Sequence, residues 1–166
     1  DHRLRDSTGL LSIMHEYNIT DAASCLAAIQ TVNTKFYGLK SKRKENHDLS
    51  LELSVRIESY EKWKKYQKHY RAWEKLPEAK RGGFERKYEY ELRQYRQAAS
   101  VLRRCQDGGE KIDYKGWKKA LDYLNREQFM LDYQLEDMKE EVRRLEVVKR
   151  EFIQENKKTK PERYER

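Results

Sequence analysis

The chain has 166 residues, of which 40% are charged and 37% hydrophobic, and its formal net charge at pH 7 is +8. Ordinary globular domains carry about 25% charged and 45–50% apolar residues, so this composition argues against a compact spherical core and favours long helices with narrow apolar seams. It also lacks any apolar run near the roughly 18 residues of a membrane span, which predicts a protein without one.

Two further features concern the protein's setting. The first residues include neither an initiator Met nor an apolar signal stretch, so the chain is expected to be a piece of a larger protein. The only cysteines, Cys25 and Cys105, are far apart and lack the spacing of metal ligands. We interpret both as reduced thiols that pack in the interior of a cytoplasmic protein.

Four helical segments are predicted in chain order, with turn-forming residues between them. Pro77 and the pair Gly82–Gly83 stop the second segment, whose one weak point is Gly38, and Asp113 is the expected N-cap of the fourth. A polar, frayed tail should follow the last helix. The predicted helices are residues 4–17, 20–76, 84–105 and 113–156, and the tail is 157–166.

Apolar residues recur in steps of three and four along the second and fourth segments, which is the pattern of a heptad seam. Asn46 and Gln128 interrupt the two seams, and a polar seam residue usually fixes register or orientation. The predicted seam positions are Leu39, Asn46, Leu53, Tyr60, Trp63, Leu124, Leu131, Leu135, Met138, Val142 and Leu145.

The two seams have similar lengths, each about 40 residues or about 60 Å of helix. They should therefore fold back on each other as one all-α domain over residues 1–156: a long antiparallel coiled-coil hairpin with a three-helix tip and a short N-terminal helix. The predicted register pairs residues whose numbers sum to about 189, so that Leu53 faces Leu135.

Catalytic and metal-binding patterns are absent from the sequence. The four histidines are scattered, and neither a Walker A motif nor a G-x-G-x-x-G dinucleotide fingerprint occurs. Carboxylate pairs such as Glu140–Glu141 lie in mixed-charge stretches, where solvation explains them better than acid–base chemistry. We predict no catalysis, no cofactor and no metal site for this chain.

The whole charge excess lies in one stretch. Lys and Arg against Asp and Glu number 7 and 7 in residues 1–55, 15 and 7 in 56–104, and 15 and 15 in 105–166. The basic stretch also holds nine aromatic residues. Such a region attracts polyanions, and aromatic faces allow bases to stack. The candidate nucleic-acid contacts are Lys62, Lys64, Lys65, Lys68, Arg71, Lys75, Lys80, Arg81, Arg86 and Lys87, with Tyr66, Trp73 and Tyr90 for stacking.

Four motifs carry a resemblance to a known family: Tyr60-x-x-Trp63, Phe84-Glu85-x-Lys87-Tyr88-x-x-Glu91-Leu92-x-x-Tyr95, Met138-Lys139-Glu140-Glu141-Val142 and Glu146-x-x-Lys149-Arg150. With these motifs the chain resembles the C-terminal region of relaxases, the mobilisation nucleases of conjugative plasmids and integrative elements, and most closely those of Firmicute type. The resemblance covers most of residues 3–156. It implies a non-catalytic accessory region, downstream of a DNA-nicking domain whose tyrosine nucleophile and metal-binding histidines have no counterpart here.

Three functions stay open at this point. The first is contact with single-stranded or duplex DNA through the basic stretch, together with or instead of assembly with transfer proteins. The second is a pure coiled-coil interaction or homodimerisation module that binds no DNA. The third is association of the basic stretch with a membrane surface. A solvated basic surface over a core of aromatic residues is the alternative to any binding role.

Overall fold

The computed structural model describes residues 2–159 and places five α-helices, and no strand, within that range. This confirms the predicted all-α class and the packing of α2 against α5 as an antiparallel hairpin. The helices are α1 (His2–Glu16), α2 (Ala22–Lys75), α3 (Glu78–Lys87), α4 (Glu89–Asp107) and α5 (Tyr114–Thr159).

The predicted third segment, 84–105, is corrected to two helices. Pro77 precedes the first residue of α3, a place where its fixed φ and missing N–H are tolerated, so a helix begins where the sequence predicted a stop. Gly82 and Gly83 lie inside α3. The break instead falls at Tyr88, whose φ of −116° and ψ of 34° leave the helical region.

The long helices are also more continuous than predicted. Gly38 does not interrupt α2, which runs unbroken for 54 residues. The C-terminal end of α5 lies at Thr159, so the predicted frayed tail begins too early, and the rest of that tail, residues 160–166, lies outside the described residues.

Local side chains define the turn between α1 and α2. Asn18 adopts a left-handed conformation with φ of 53°, and the Ile19 N–H donates to the Met14 carbonyl at 2.8 Å. The Ser24 N–H donates to Asp21 Oδ1 at 2.8 Å, and Ser24 Oγ accepts the Asp21 N–H at 3.1 Å. This reciprocal arrangement caps α2, and the hydrogen bond from Ser24 lowers the pKa of Asp21.

The connection between α4 and α5 is also defined by local hydrogen bonds. Gly109 has φ of +84°, a conformation that favours glycine, and it allows the Glu110 N–H to reach the Cys105 carbonyl at 3.1 Å. Asp113 Oδ1 accepts the Gly116 N–H at 3.0 Å, so the predicted cap of the last helix is present.

Contacts divide the chain into two units: the first unit is residues up to Lys44 with those from Phe129 onward, and the second unit is Glu45–Gln128. The core of the first unit is formed by α1, the start of α2 and the end of α5. Val32 and Leu145 are among its most buried side chains. The Tyr17 hydroxyl donates to Glu141 Oε2 at 2.7 Å and joins α1 to α5.

The second unit has its own core, in which Ile57 of α2, Leu102 of α4 and Trp117 of α5 pack together. Leu53 and Leu121 pack against this cluster. Three helices therefore meet here, and the large aromatic residues that the sequence concentrates in this region fill the space between them. The expectation of a single domain over residues 1–156 stays a prediction.

The predicted register is wrong by about two heptads. Tyr60 stacks on Tyr114 with ring centroids 4.6 Å apart, and Arg43 pairs with Asp132 at 2.5 Å, so facing residue numbers sum to 174 and 175 rather than 189. Leu53 accordingly packs in the cluster that contains Leu121 rather than facing Leu135. A heptad seam looks the same after any shift by whole heptads, so its periodicity alone does not select the register.

All eleven predicted seam positions are buried or half-buried. Leu131 and Leu145 are fully buried at 3% and 0% exposure. The others fall into two groups. Asn46, Leu124 and Leu135 are buried, and Leu39, Leu53, Tyr60, Trp63, Met138 and Val142 are half-buried.

Candidate nucleic-acid interface

Four cations of α2 form a straight row on one face of the helix. Lys64, Lys68, Arg71 and Lys75 follow at intervals of four, three and four residues, which keeps them on one stripe of the helix over about 16 Å. All four side chains are exposed. We call these four residues the cation row. It belongs entirely to the second unit.

A shallow groove of about 530 Å³ runs along this row, and no acidic side chain contributes to its wall. Its polar, uncharged member is Gln67, and Lys65 adds a fifth cation. Positive charges at this spacing repel one another, and none of the four cations forms an ion pair with another described residue that would relieve the repulsion. The groove is therefore a surface whose free energy falls when an anion binds. The lining residues are Lys64, Lys65, Gln67, Lys68, Arg71, Ala72 and Lys75.

A second, larger groove of about 890 Å³ shares Lys64, Lys65 and Gln67 with the first. Its other wall comes from the loop before α5 and the first residues of that helix. Tyr60 and Tyr114, stacked on each other, form part of its lining, and the Tyr114 hydroxyl donates to Glu61 Oε1 at 2.5 Å. The lining of this larger groove includes the carboxylates of Glu61 and Asp113, which offset the charges of its lysines. The first groove has no such carboxylate.

The three stacking candidates differ in how much ring surface they leave open. Trp73 is already contacted by the guanidinium groups of Arg81 and Arg96, 4.6 and 5.1 Å from its ring centroid, and its indole N–H donates to Glu85 at 2.8 Å. Tyr66 is half-buried. Tyr90 is 53% exposed and is the most accessible of the three.

Of the remaining basic candidates, two have partners within the protein and the others are exposed. Arg81 is half-buried and donates to the carbonyl oxygens of Leu76 and Glu74 at 3.2 and 3.0 Å, so it closes the C-terminal end of α2. Lys62 pairs with Glu58 at 3.0 Å, and that hydrogen bond raises the pKa of the Lys62 ammonium. The predicted contacts that are exposed but lie outside the cation row are Lys65, Lys80, Arg86 and Lys87.

Gln67, Ile112 and Tyr114 line the larger groove but were not among the predicted site residues. The assumed register placed Tyr70, rather than Tyr60, beside the start of the last helix, so the loop residues appeared remote from Lys64. Pairing Tyr60, near the start of the basic stretch, with Tyr114, which follows the stretch, would have indicated the contact, because aromatic pairs often fill the wide part of a helical core.

No protein-family model, curated protein or solved structure matches this chain. Across residues 2–159 there is no group of three or more His, Cys, Asp or Glu side chains placed to bind a metal ion. None of the helices in the described part of the chain combines the length and apolarity of a bilayer span.

Proposed function

We propose that this chain is a helical accessory module that contacts the phosphate backbone of a nucleic acid through the cation row. The observation that carries the proposal is the row itself: four exposed cations on one stripe of α2, along a groove without an acidic wall residue. Glu61, Glu74 and Glu78 each lie three residues from a member of the row, yet none of them forms an ion pair with it in the described part of the chain, whereas Glu136 and Lys139 of α5 do pair at that spacing.

The expected binding is electrostatic and largely independent of sequence. Each phosphate that a cation neutralises contributes about −0.7 to the log–log salt slope on single strands and about −0.9 on duplex DNA. Four cations therefore give a slope of about −3. Tyr90, the most exposed of the stacking candidates, adds at most one stacked base, so the phosphate contacts dominate.

The resemblance to relaxase C-terminal regions supports a more specific setting. In that setting the module is non-catalytic, acts in the cytoplasm, and holds DNA or transfer proteins beside a nicking domain. The pattern of Phe84, Lys87 and Tyr88 through Tyr95 carries that part of the proposal.

The test compares two double charge reversals of equal size. Lys68→Glu with Arg71→Glu removes the middle of the cation row. Arg144→Glu with Arg150→Glu, two exposed cations of α5 in the first unit, changes the net charge by the same amount. Binding of a fluorescent 20-nucleotide strand and of a 20-base-pair duplex is measured by anisotropy at 50 and 200 mM salt.

We expect the row variant to bind at least tenfold more weakly at 50 mM salt and to reduce the magnitude of the salt slope by about 1.5, since it removes two phosphate contacts. The α5 variant should stay within about threefold of the unmodified protein. Equal losses in both variants would mean that net charge, rather than this row, attracts the nucleic acid. Absence of binding at 50 mM salt would refute the proposal.

A second candidate function rests on a different observation. Phe129, Met130 and Tyr133 are neighbours on α5, and they are 73%, 56% and 64% exposed. A cluster of exposed large apolar side chains on a helix is typical of protein–protein contact. A coiled-coil interaction or dimerisation module would lose self-association or partner binding in a Phe129→Ser, Tyr133→Ser variant while its nucleic-acid binding is unchanged.

A further inference from the structure

Helix α3 is anchored far more weakly than its neighbours. It has ten residues and no buried side chain, whereas α4 buries Leu92, Ala98, Leu102 and Cys105. Helices shorter than about 12–15 residues are marginal in water unless tertiary packing supports them. With so little packing, α3 should open locally at a small fraction of the free energy that unfolds the second unit.

The two glycines in the middle of α3 weaken it further. A Cβ at either Gly82 or Gly83 would meet no heavy atom within 4 Å, and neither residue has a positive φ. Neither close packing nor backbone conformation therefore explains these glycines. Relative to alanine, each lowers the helix equilibrium about five-fold, so the pair keeps α3 about 25-fold less stable than it could be.

Both ends of α3 are breaks in the helical backbone. Pro77 lies at its N-terminal end without a side-chain cap, and Tyr88 leaves the helical region at its C-terminal end. The ring of His69 lies 5.1 Å from that of Tyr88, and its Nδ1 atom is buried without a hydrogen-bond partner. An unsatisfied polar atom beneath the C-terminal break lowers the cost of opening there.

The polar contacts of α3 converge on Trp73 and on the end of α2. Arg81 donates to the carbonyl oxygens of Glu74 and Leu76 and lies over the Trp73 ring, and Glu85 accepts the Trp73 indole N–H. Solvent can replace each of these contacts. The apolar contact of α3 is small: Phe84 is half-buried, and its ring centroid lies 4.6 Å from that of Tyr88.

Electrostatics ties the position of α3 to occupancy of the cation row. The helix carries four cations and two acids, and the row ends at Lys75, two residues before Pro77. The net charge of +2 on α3 (four cations less two acids) adds to the charge of the row and opposes the docked position, and Glu78 beside Pro77 relieves part of this repulsion. A phosphate chain that lies on the row and reaches Lys80 or Arg86 removes this repulsion and links the two helices.

We propose that α3 is a phosphate-ordered strap: it opens between Pro77 and Tyr88 in the free protein and docks stably when a polyanion occupies the cation row. This inference rests on the proposed function for its ligand. Its first half, local opening in the free protein, does not depend on any ligand. Binding then includes the ordering of α3, so a strap that is ordered in advance should raise affinity.

Hydrogen exchange with peptide-level mass spectrometry tests both halves. In the free protein, amides of residues 80–87 should exchange at least a hundredfold faster than those of residues 96–106 in α4. Addition of a saturating 20-nucleotide strand should slow the α3 amides at least tenfold. The anisotropy measurement on the same samples establishes whether the strand is bound.

A Gly82→Ala, Gly83→Ala variant tests whether the ordering of α3 contributes to binding. It should slow exchange in α3 by roughly 25-fold without ligand and raise affinity for the strand several-fold, because part of the ordering is already complete. Gly38→Ala, a matched change at another helical glycine with open space, should alter neither α3 exchange nor affinity. Glu85→Gln, which weakens the contact with Trp73, should speed α3 exchange and leave α4 unchanged.

Several results would overturn the strap. One is α3 exchange as slow as that of α4 in the free protein. Another is bound strand, shown by anisotropy, with no change in α3 exchange. A third is a glycine double variant that orders α3 yet binds no tighter. Failure to bind any strand refutes the proposed function and the coupling together, and the free-state exchange then decides the opening separately.

Discussion

The seam between α2 and α5 contains a polar pair that should determine its register. Asn46 is 7% exposed, and its Nδ2 is buried without a partner; the buried Oε1 of Gln128 is also unpartnered. The residue numbers sum to 174, as those of Tyr60 and Tyr114 do, so the register places a donor and an acceptor at the same level of the seam. We predict that replacing both with leucine raises stability and weakens the choice of register.

The magnitude follows from the two unpaired atoms. A buried polar group without a partner costs about 1–3 kcal/mol, and an additional buried apolar side chain contributes about 1.5–3 kcal/mol. Gln128 is only half-buried and the new side chains must repack, so we expect Asn46→Leu with Gln128→Leu to raise the free energy of unfolding by about 2–4 kcal/mol. Either single change leaves the other polar group facing leucine and should gain less than half of that.

Urea denaturation followed by circular dichroism measures the stability, and the two single variants complete a double-mutant cycle. A cysteine pair reports the register: Leu53→Cys and Leu121→Cys, from the same cluster, should form a disulfide in high yield in the parent protein. A shift by two heptads, to a sum of 188, would place Asn46 level with Val142 and Gln128 level with Tyr60. The leucine variant no longer opposes that shift with a buried polar group, so its crosslink yield should fall.

Two results would refute this reasoning separately. A double variant less stable than the parent would show that the amide pair is satisfied in solution and contributes net stability. An unchanged crosslink yield in the leucine variant would show that other contacts, such as the Tyr60–Tyr114 stack, fix the register without the polar pair.

Three further predictions concern the helices and their ends. Burial and the hydrogen bond to Glu141 raise the pKa of Tyr17. The protonated hydroxyl therefore stabilises the fold below the pKa of about 10 that tyrosine has in the unfolded chain, and this stabilisation is lost as the pH rises above that value. Tyr17→Phe should flatten the fall in the unfolding midpoint between pH 8 and pH 11. Gly38→Ala should stabilise the chain by about 0.5–1 kcal/mol in urea denaturation, because the helix is continuous there and a Cβ meets no atom within 4 Å; destabilisation would contradict this. Asp113→Ala removes the acceptor of the Gly116 N–H and should cost about 0.5–2 kcal/mol, whereas Asp113→Asn should cost much less.

The helices and their apolar faces could be predicted from the sequence because both depend on local spacing. Leu131, Leu135 and Leu145 lie in the interior, where the three-and-four pattern placed them. The register could not be derived from that pattern, which repeats every seven residues. Asn46 and Gln128 did contain the information, since a polar residue in one seam is best accommodated opposite a polar residue in the other.

The candidate site was predictable to a different extent. The charge excess of residues 56–104 located the basic surface, because the sum of charges needs no structure. The state of individual side chains did not follow from it. The burial and contacts of Arg81 and Trp73 depend on where α3 packs after Pro77. Tertiary contacts determine that position, and a local sequence pattern does not contain them.

All three tryptophans of the chain, Trp63, Trp73 and Trp117, lie in the second unit, and the first unit has none. Indole emission during denaturation therefore follows only the unit that contains the basic surface, while far-ultraviolet ellipticity averages over every helix. Coincident curves from the two probes would indicate one cooperative transition, and separated curves would give each unit its own midpoint without any labelling.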